Sequence, residues 1–297
     1  MALSRIVRFL PVVVLAGATA LVAARLHTAR ERPYDVDVVP SAGTLRWLSI
    51  GHPLLAGNLY WLATVQYIGE GRADARGWER LFPLVNLVTD LDPGHGYAYQ
   101  VAGVILAAKG RVAESSAILE KGTRSVGTRY ILPYLRAFNA FYHEGDWVAA
   151  GRWAEIAART PGAPEHVRQN VLAYYVKGER ADAAIKFLEE VLRQTDDPES
   201  RKAVEGQLRQ AVFERDAELI DRAAAVYRER HGILPPFLGA LVMEGLLPKL
   251  PPDPFGGQWV FDATGRIRSS VHEFRFAPRP SPEELHDPHL GPAKEKR

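Results

Sequence analysis

The chain has 297 residues, 47% of them hydrophobic and 24% charged, ample for one or two packed domains. Thirty-seven basic residues against 35 acidic ones leave a formal net charge of +2, too little to argue for nucleic acid, and no dense basic stripe with interleaved aromatics occurs. Cysteine is absent, which removes disulfides, thiol nucleophiles and cysteine zinc sites together.

Arg5 and Arg8 precede an uncharged run from Phe9 to Ala24, and Arg25, Arg30 and Arg32 follow it. An apolar run with basic flanks reads as a signal anchor or a secretory signal peptide. Val22-Ala23-Ala24 offers a cleavage site, but an uncleaved transmembrane helix within 1–28 is the preferred reading. Positive charge on both sides leaves its orientation open. Residues 29–56 then read as a linker, extended from Pro33 to Pro40, and an N-terminal cap. Trp47, Tyr60 and Trp61 fall close behind the anchor, where such rings favour a membrane interface. The preferred use of these rings is to close the apolar end of a helical array, which needs a capped first unit.

Three glycine turns, Gly110-Arg111, Gly145-Asp146 and Gly178-Glu179, lie 35 and 33 residues apart, each between apolar stretches written at helical spacing. Around them large and small residues recur. Tyr99, Ala102-Gly103 and Leu106 precede the first turn, and Ser115 and Leu119 follow it. Tyr134, Ala137 and Phe141 precede the second, before Ala150 and Ala154; Val167, Asn170-Val171 and Tyr174 precede the third, before Ala183 and Phe187. Tyr60, Ala63-Thr64 and Tyr67 begin an earlier, degenerate unit. Small residues let two helices approach closely and large ones fill the space between successive pairs.

On those residues the chain resembles the tetratricopeptide repeat superfamily over roughly 57–197. The resemblance implies an all-α fold whose centre is an α-solenoid of about four helix pairs, and a protein-binding groove lined by the first helix of each pair. The positions so implied are Gln100, Arg136, Asn139, Tyr142, His143, Arg168, Gln169 and Tyr175. Arginine, asparagine and tyrosine there suit an extended or helical peptide, gripped by charge-assisted hydrogen bonds and stacking. The two-lysine carboxylate clamp of chaperone-binding members is missing, which argues against a chaperone-tail receptor.

After the repeats, Asp197-Pro198 offers an N-cap with proline at the first helical position, and a long capping helix is expected over 198–231. Its apolar stripe reads Val204, Leu208, Ala211, Val212, Leu219, Ile220, Val226 and Tyr227. Residues 232–272 predict a short helix, a proline-locked turn and a small β-hairpin around Asp262–Gly265. Tyr227, Gly232 and Pro235, with Leu250-Pro251 and the turn Asp253-Pro254-Phe255-Gly256, resemble the carboxyl-terminal part of type II secretion major pseudopilins and related type IV pilin-like proteins. This chain departs from that family in three ways: no prepilin leader is read in it, repeats precede the long helix where a membrane stem would stand, and no acidic calcium loop follows Gly265. The segment therefore reads as a fold-back module, not a filament subunit. Residues 273–297 read as a disordered tail.

No phosphate loop, strand-linked dinucleotide fingerprint or His-Glu-x-x-His motif is present. His286 and His289 stand three apart, in a proline-rich tail where nothing would fix metal geometry. Asp196-Asp197 and Glu189-Glu190 suit capping and exposed helix faces better than acid/base work. No catalytic residue, metal, cofactor, nucleic acid or small-molecule substrate is expected. The sequence leads to a membrane-anchored adaptor with its body in the periplasm, single-pass in the inner membrane. Its partners would be proteins of a bacterial envelope machine of the pilus or type II secretion kind. The alternative is an accessory structural subunit of a membrane transport or polysaccharide-synthesis complex.

Overall fold

The computed structural model of the protein describes residues 17–21, 39–69 and 78–286. The described chain is mostly helical, with one two-stranded sheet. Residues 17–21 are helical; the rest of the expected anchor over 1–28, the start of the linker to residue 38 and the tail beyond 286, His289 included, lie outside the described residues. Among the described residues no helix is long and apolar enough to cross a membrane.

Helix α1 (Ala42–Leu48) starts where the Ser41 hydroxyl accepts a hydrogen bond from the Thr44 amide. It leads into α2 (Pro53–Gly69), α3 (Leu81–Leu91), α4 (Gly96–Ala108) and α5 (Val112–Ser125). Helix α6 (Ile131–Phe138) runs on into a π-helical turn, Asn139–His143, which adds a residue to the helical register. Then come α7 (Trp147–Arg159), α8 (Glu165–Lys177), α9 (Ala181–Arg193) and the 34-residue α10 (Pro198–His231). From α2 to α10 every helix packs on the next in the chain, and α3 also meets α5, α4 meets α6 and α8 meets α10.

The large and small positions read from the sequence account for much of this packing. Tyr99, Ala102, Leu106 and Leu119 are fully buried in one core with Leu81, Val85, Val88, Ile118 and Leu132. Ala137, Ala150, Ala154, Val171, Tyr174 and Phe187 are buried in the next. Glycines allow the closest approaches. A Cβ on Gly103 would stand 2.5 Å from Leu119 Cδ2, and one on Gly122 would stand 2.6 Å from Tyr99 Cγ.

Helix α10 begins with Asp197 accepting a hydrogen bond from the Ser200 amide at 2.8 Å and ends at Gly232, whose φ of 76° is left-handed. At about 1.5 Å per residue it runs roughly 51 Å, long enough to serve two cores. Val204 and Ala211 belong to the core of α6–α9, whereas Phe213, Ala217, Ile220, Ala224 and Tyr227 belong to a separate carboxyl-terminal core. The expected single stripe therefore breaks at Phe213. Leu219 and Val226, placed on it by the sequence, are exposed, because the partner of the helix changes side where contact with α8 and α9 ends and contact with the hairpin begins.

That second core is completed by α11 (Gly239–Met243), Leu247, and the antiparallel strands β1 (Trp259–Phe261) and β2 (Ile267–Ser269), paired Trp259 to Ser269 and Phe261 to Ile267. Asp262 Oδ1 accepts hydrogen bonds from the Thr264 and Arg266 amides and Gly265 takes φ 82°, which closes the hairpin. Residues 273–286, expected from the sequence to be disordered, instead lie against the body and end in α12 (Pro282–His286). Their apolar members Phe276 and Leu285 pack on the α6–α10 core, the Phe276 amide donates to Glu214, and Arg275 donates to the Ile267 carbonyl.

Candidate functional site

The eight positions expected to line a groove on the first helices separate into three groups. Gln100 on α4 is half-buried, and its Oε1 accepts a hydrogen bond from Arg129 Nη2 at 3.2 Å. Arg129 lies across Gly96, where a Cβ would come within 2.4 Å of its Cδ. Gln100, Thr128, Arg129, Tyr130 and Ile131 line a cleft of about 370 Å3. Gln169 on α8 is exposed.

Arg136, Asn139 and Tyr175 are instead buried and satisfied within the fold. Arg136 donates from Nε to Glu120 at 2.8 Å and from Nη1 to Glu144 at 3.1 Å, and its guanidinium lies 5.5 Å from the Trp153 ring centroid. Asn139 Nδ2 donates to Ser115 Oγ, which donates in turn to the Gly103 carbonyl. Tyr175 donates its hydroxyl to Glu155 at 2.9 Å and lies over Gly151, where a Cβ would come within 2.6 Å of the ring. Burial, with the Glu155 charge beside it, holds this phenol well above its usual range. Arg168 pairs with Glu165 across one turn of α8, yet its Nε is buried without a hydrogen-bond partner, and burial lowers its pKa.

Tyr142 and His143, on the π-helical turn, form the third group and are met by the chain itself. Phe138, Phe141, Tyr142, Trp147 and Tyr174 make a continuous aromatic surface: Phe138 stacks on Tyr142 at 5.0 Å and Phe141 on Tyr174 at 5.0 Å. The His286 ring lies 4.9 Å from that of Tyr142, and Arg279 donates to the Gly145 carbonyl at 2.6 Å. Burial, and then the nearby His286, lower the pKa of His143, against the Glu144 charge that raises it. Helix α12 is capped reciprocally, Ser281 N donating to Glu284 and Glu284 N to Ser281 Oγ.

A buried polar network holds the other end of this strap. Glu214 Oε1 accepts from the Phe276 amide and from Gln210 Nε2, each at 2.9 Å. Arg275 reaches Asp221 Oδ2 at 2.6 Å, donates to the Ile267 carbonyl, and stands 3.5 Å from Glu214. Asp221 Oδ1 also accepts the Ile267 amide, and His272 Nε2 meets Gln210 Oε1 at 2.8 Å. Burial raises the pKa of Glu214, opposed by the Phe276 amide and the Arg275 charge. Each carboxylate faces a cation or an N–H, an arrangement that ties strands and strap to α10. Nothing in the sequence pointed to these residues, because charges scattered in a tail carry no periodicity.

The turn Asp253-Pro254-Phe255-Gly256 has a structural assignment of the same kind. Asp253 Oδ1 accepts from the Phe255 amide, its Oδ2 accepts from Ser269 Oγ at 2.5 Å, and Gly256 has φ 80°. Phe255 stacks on His272 with centroids 3.8 Å apart, and Trp259 stacks on Phe213 at 5.1 Å while donating Nε1–H to the Pro251 carbonyl. Among the described residues no three His, Asp or Glu side chains gather as a metal site.

No family model, curated protein or solved structure matches this chain.

Proposed function

We propose that this chain is a non-catalytic adaptor, built on tetratricopeptide-like helix pairs and tethered to a bacterial inner membrane by its first apolar segment. Its periplasmic body would bind a protein segment during assembly of an envelope machine. One observation carries the reading: the aromatic surface of α6–α8 already seats a polypeptide, residues 276–286 of the chain itself, through Arg279, Leu285 and His286. A surface that accommodates an extended stretch followed by a helical turn suits a partner segment of the same form. The packing of each helix on the next supports a repeat array, in which Gln169 is exposed and Gln100 borders the cleft beside Arg129.

The carboxyl-terminal module favours pilus or type II secretion-like assemblies as the setting. A long helix stopped by Gly232, a short helix, the Asp253 turn and a hairpin follow one another in the order that the pseudopilin resemblance implies.

A photo-crosslinking amino acid at Gln169, in the full chain expressed in its native membrane, tests the proposal. Capture of one envelope component, reduced when Tyr142 and Gln100 are replaced by alanine, is the expected result. Recovery of no envelope component, with those substitutions silent for the phenotype of a deletion, overturns it.

A further inference from the structure

Helix α2 is apolar on both faces. From Leu45 to Gly69 the chain carries one formally charged side chain, Arg46, which is exposed and donates to the Asp90 carbonyl on the α3 side. One face of α2 packs on α3, with Gly57 against Leu91 and Thr64 fully buried. The opposite face carries Leu55, Leu59, Leu62 and Val65 at helical spacing, all exposed, Leu55 at 61% and Leu59 at 60%. Beside it Trp47 is 80% exposed and Ile50 in the following turn 85%. Leu48, Leu55 and Leu59 border a groove of about 290 Å3 between α1 and α2. A helix that is apolar all round is a buried helix, and an exposed apolar stretch of this length marks a surface that something covers.

Trp61 packs its ring 5.0 Å from His95 and 6.2 Å from Tyr97. Trp47 and the leucine stripe are left over.

We infer that the exposed face of α1 and α2 lies in the interfacial region of a lipid bilayer, holding the array against the membrane surface. The chemistry of the face selects lipid. Specific protein interfaces supply about one hydrogen bond per 100–200 Å2, but the leucine stripe of α2 is flanked by only two exposed polar side chains, Asn58 and Gln66, with Arg46 and His52 exposed nearer the turn between α1 and α2. A bilayer asks for none, and indole at the edge of an apolar stripe is favoured at headgroup depth. The chain outside the structure points the same way. Residues 25–41 join the uncharged run Phe9–Ala24 to α1, and 17 residues at no more than about 3.6 Å each cannot carry the start of α1 beyond roughly 60 Å from the end of that run. At 17 residues α2 is about 25 Å long, short of a bilayer span but suited to lying along its surface.

The inference rests on the membrane tether proposed above, and its test separates the two. The chain has no cysteine, so Leu59→Cys or Leu62→Cys gives a single nitroxide site in the full chain. Glu229→Cys on the exposed part of α10 is the control. After reconstitution in phosphatidylcholine and phosphatidylglycerol vesicles, labels at 59 and 62 are expected to collide with oxygen and to lose collision with a water-soluble nickel chelate, while the label at 229 keeps it. A chain that floats with vesicles but leaves labels 59 and 62 open to the chelate overturns the inference and spares the tether. Spin–spin broadening that disappears on dilution with unlabelled chain assigns the face to a second copy, and labels shielded from both quenchers assign it to protein; either overturns it. Failure to float removes tether and inference together.

Discussion

Arg279 donates a hydrogen bond to the Gly145 carbonyl at 2.6 Å, joining two residues 134 positions apart. The bond ties the carboxyl-terminal strap to the turn that starts α7, next to the aromatic surface on which His286 and Leu285 rest. It is solvent-exposed, so its loss costs about 0.5–1.5 kcal/mol, as for an ordinary intramolecular hydrogen bond, and leaves global stability nearly unchanged. Arg279→Ala is therefore expected to speed amide hydrogen exchange in residues 278–286 with little change in α7–α9. Unaltered exchange in the strap would show that Arg279 does not hold it.

Acid should weaken the same contact. Burial and the neighbouring His286 hold His143 below its ordinary value, against Glu144. Between the folded and unfolded pKa values the unfolded or detached chain binds a proton that the folded one refuses. Stability is then intact above about pH 6.5 and falls as pH drops through the lowered value. Thermal midpoints of the full chain in detergent are expected to fall from about pH 7.5 to 5.5, and His143→Gln should flatten that slope. An equal slope in wild type and variant would remove His143 as its source.

The helical periodicity and the two ends of α10 were legible because each is written locally, in spacing, in Asp197-Pro198 and in Gly232. Non-local matters were not. The strap carries no period, and the switch of stripe at Phe213 depends on which element α10 meets. The glycine turns show a finer limit. Gly110 and Gly145 take φ 76° and 66°, but in the third turn Glu179 holds φ 57° while Gly178 sits at −85°. Gly178 meets a different need: a Cβ there would lie 3.0 Å from Val148 Cγ2 and 3.2 Å from the Tyr174 carbonyl. The glycine marked the turn, but its cause was close packing and not the left-handed backbone. At the positions expected to line a groove, residue type gave no sign of burial, and Asn139 and Tyr175 are internal members of the fold.

Two helical glycines should respond to alanine in opposite directions. A Cβ at Gly122 would meet Tyr99 Cβ at 2.8 Å and Cγ at 2.6 Å, and Tyr99 is fully buried and close to its own backbone at that point. Gly122→Ala is expected to destabilise by about 1–3 kcal/mol through overpacking. Gly206 is exposed within α10 with nothing within 4 Å of a Cβ, so Gly206→Ala should stabilise by about 0.5–1 kcal/mol through helix propensity and a less flexible unfolded chain. Urea unfolding of the two variants checks both signs, and a stabilised Gly122→Ala would mean that α4 and α5 are less closely packed than described.

Arg275 joins the hairpin, the strap and α10, and is the most consequential of these residues to remove. Its side chain is 10% exposed and faces Glu214 at 3% and Asp221 at 25%. Arg275→Ala leaves two carboxylates without their cation, and breaking a buried pair in this way costs about 3–5 kcal/mol. Glu214 already has its pKa raised by burial, so loss of the nearby charge should raise it further and make the variant more stable in mild acid than at neutral pH. Arg275→Met combined with Glu214→Gln removes the worst of the unpaired charge while keeping much of the packing, and should recover a large part of the loss. The measurement is urea unfolding followed through Trp259, which stacks on Phe213 in the affected core, with α2–α5 as the region expected to remain folded. If Arg275→Ala alone unfolded as easily as the double variant, the desolvated carboxylates would not be what makes this residue necessary.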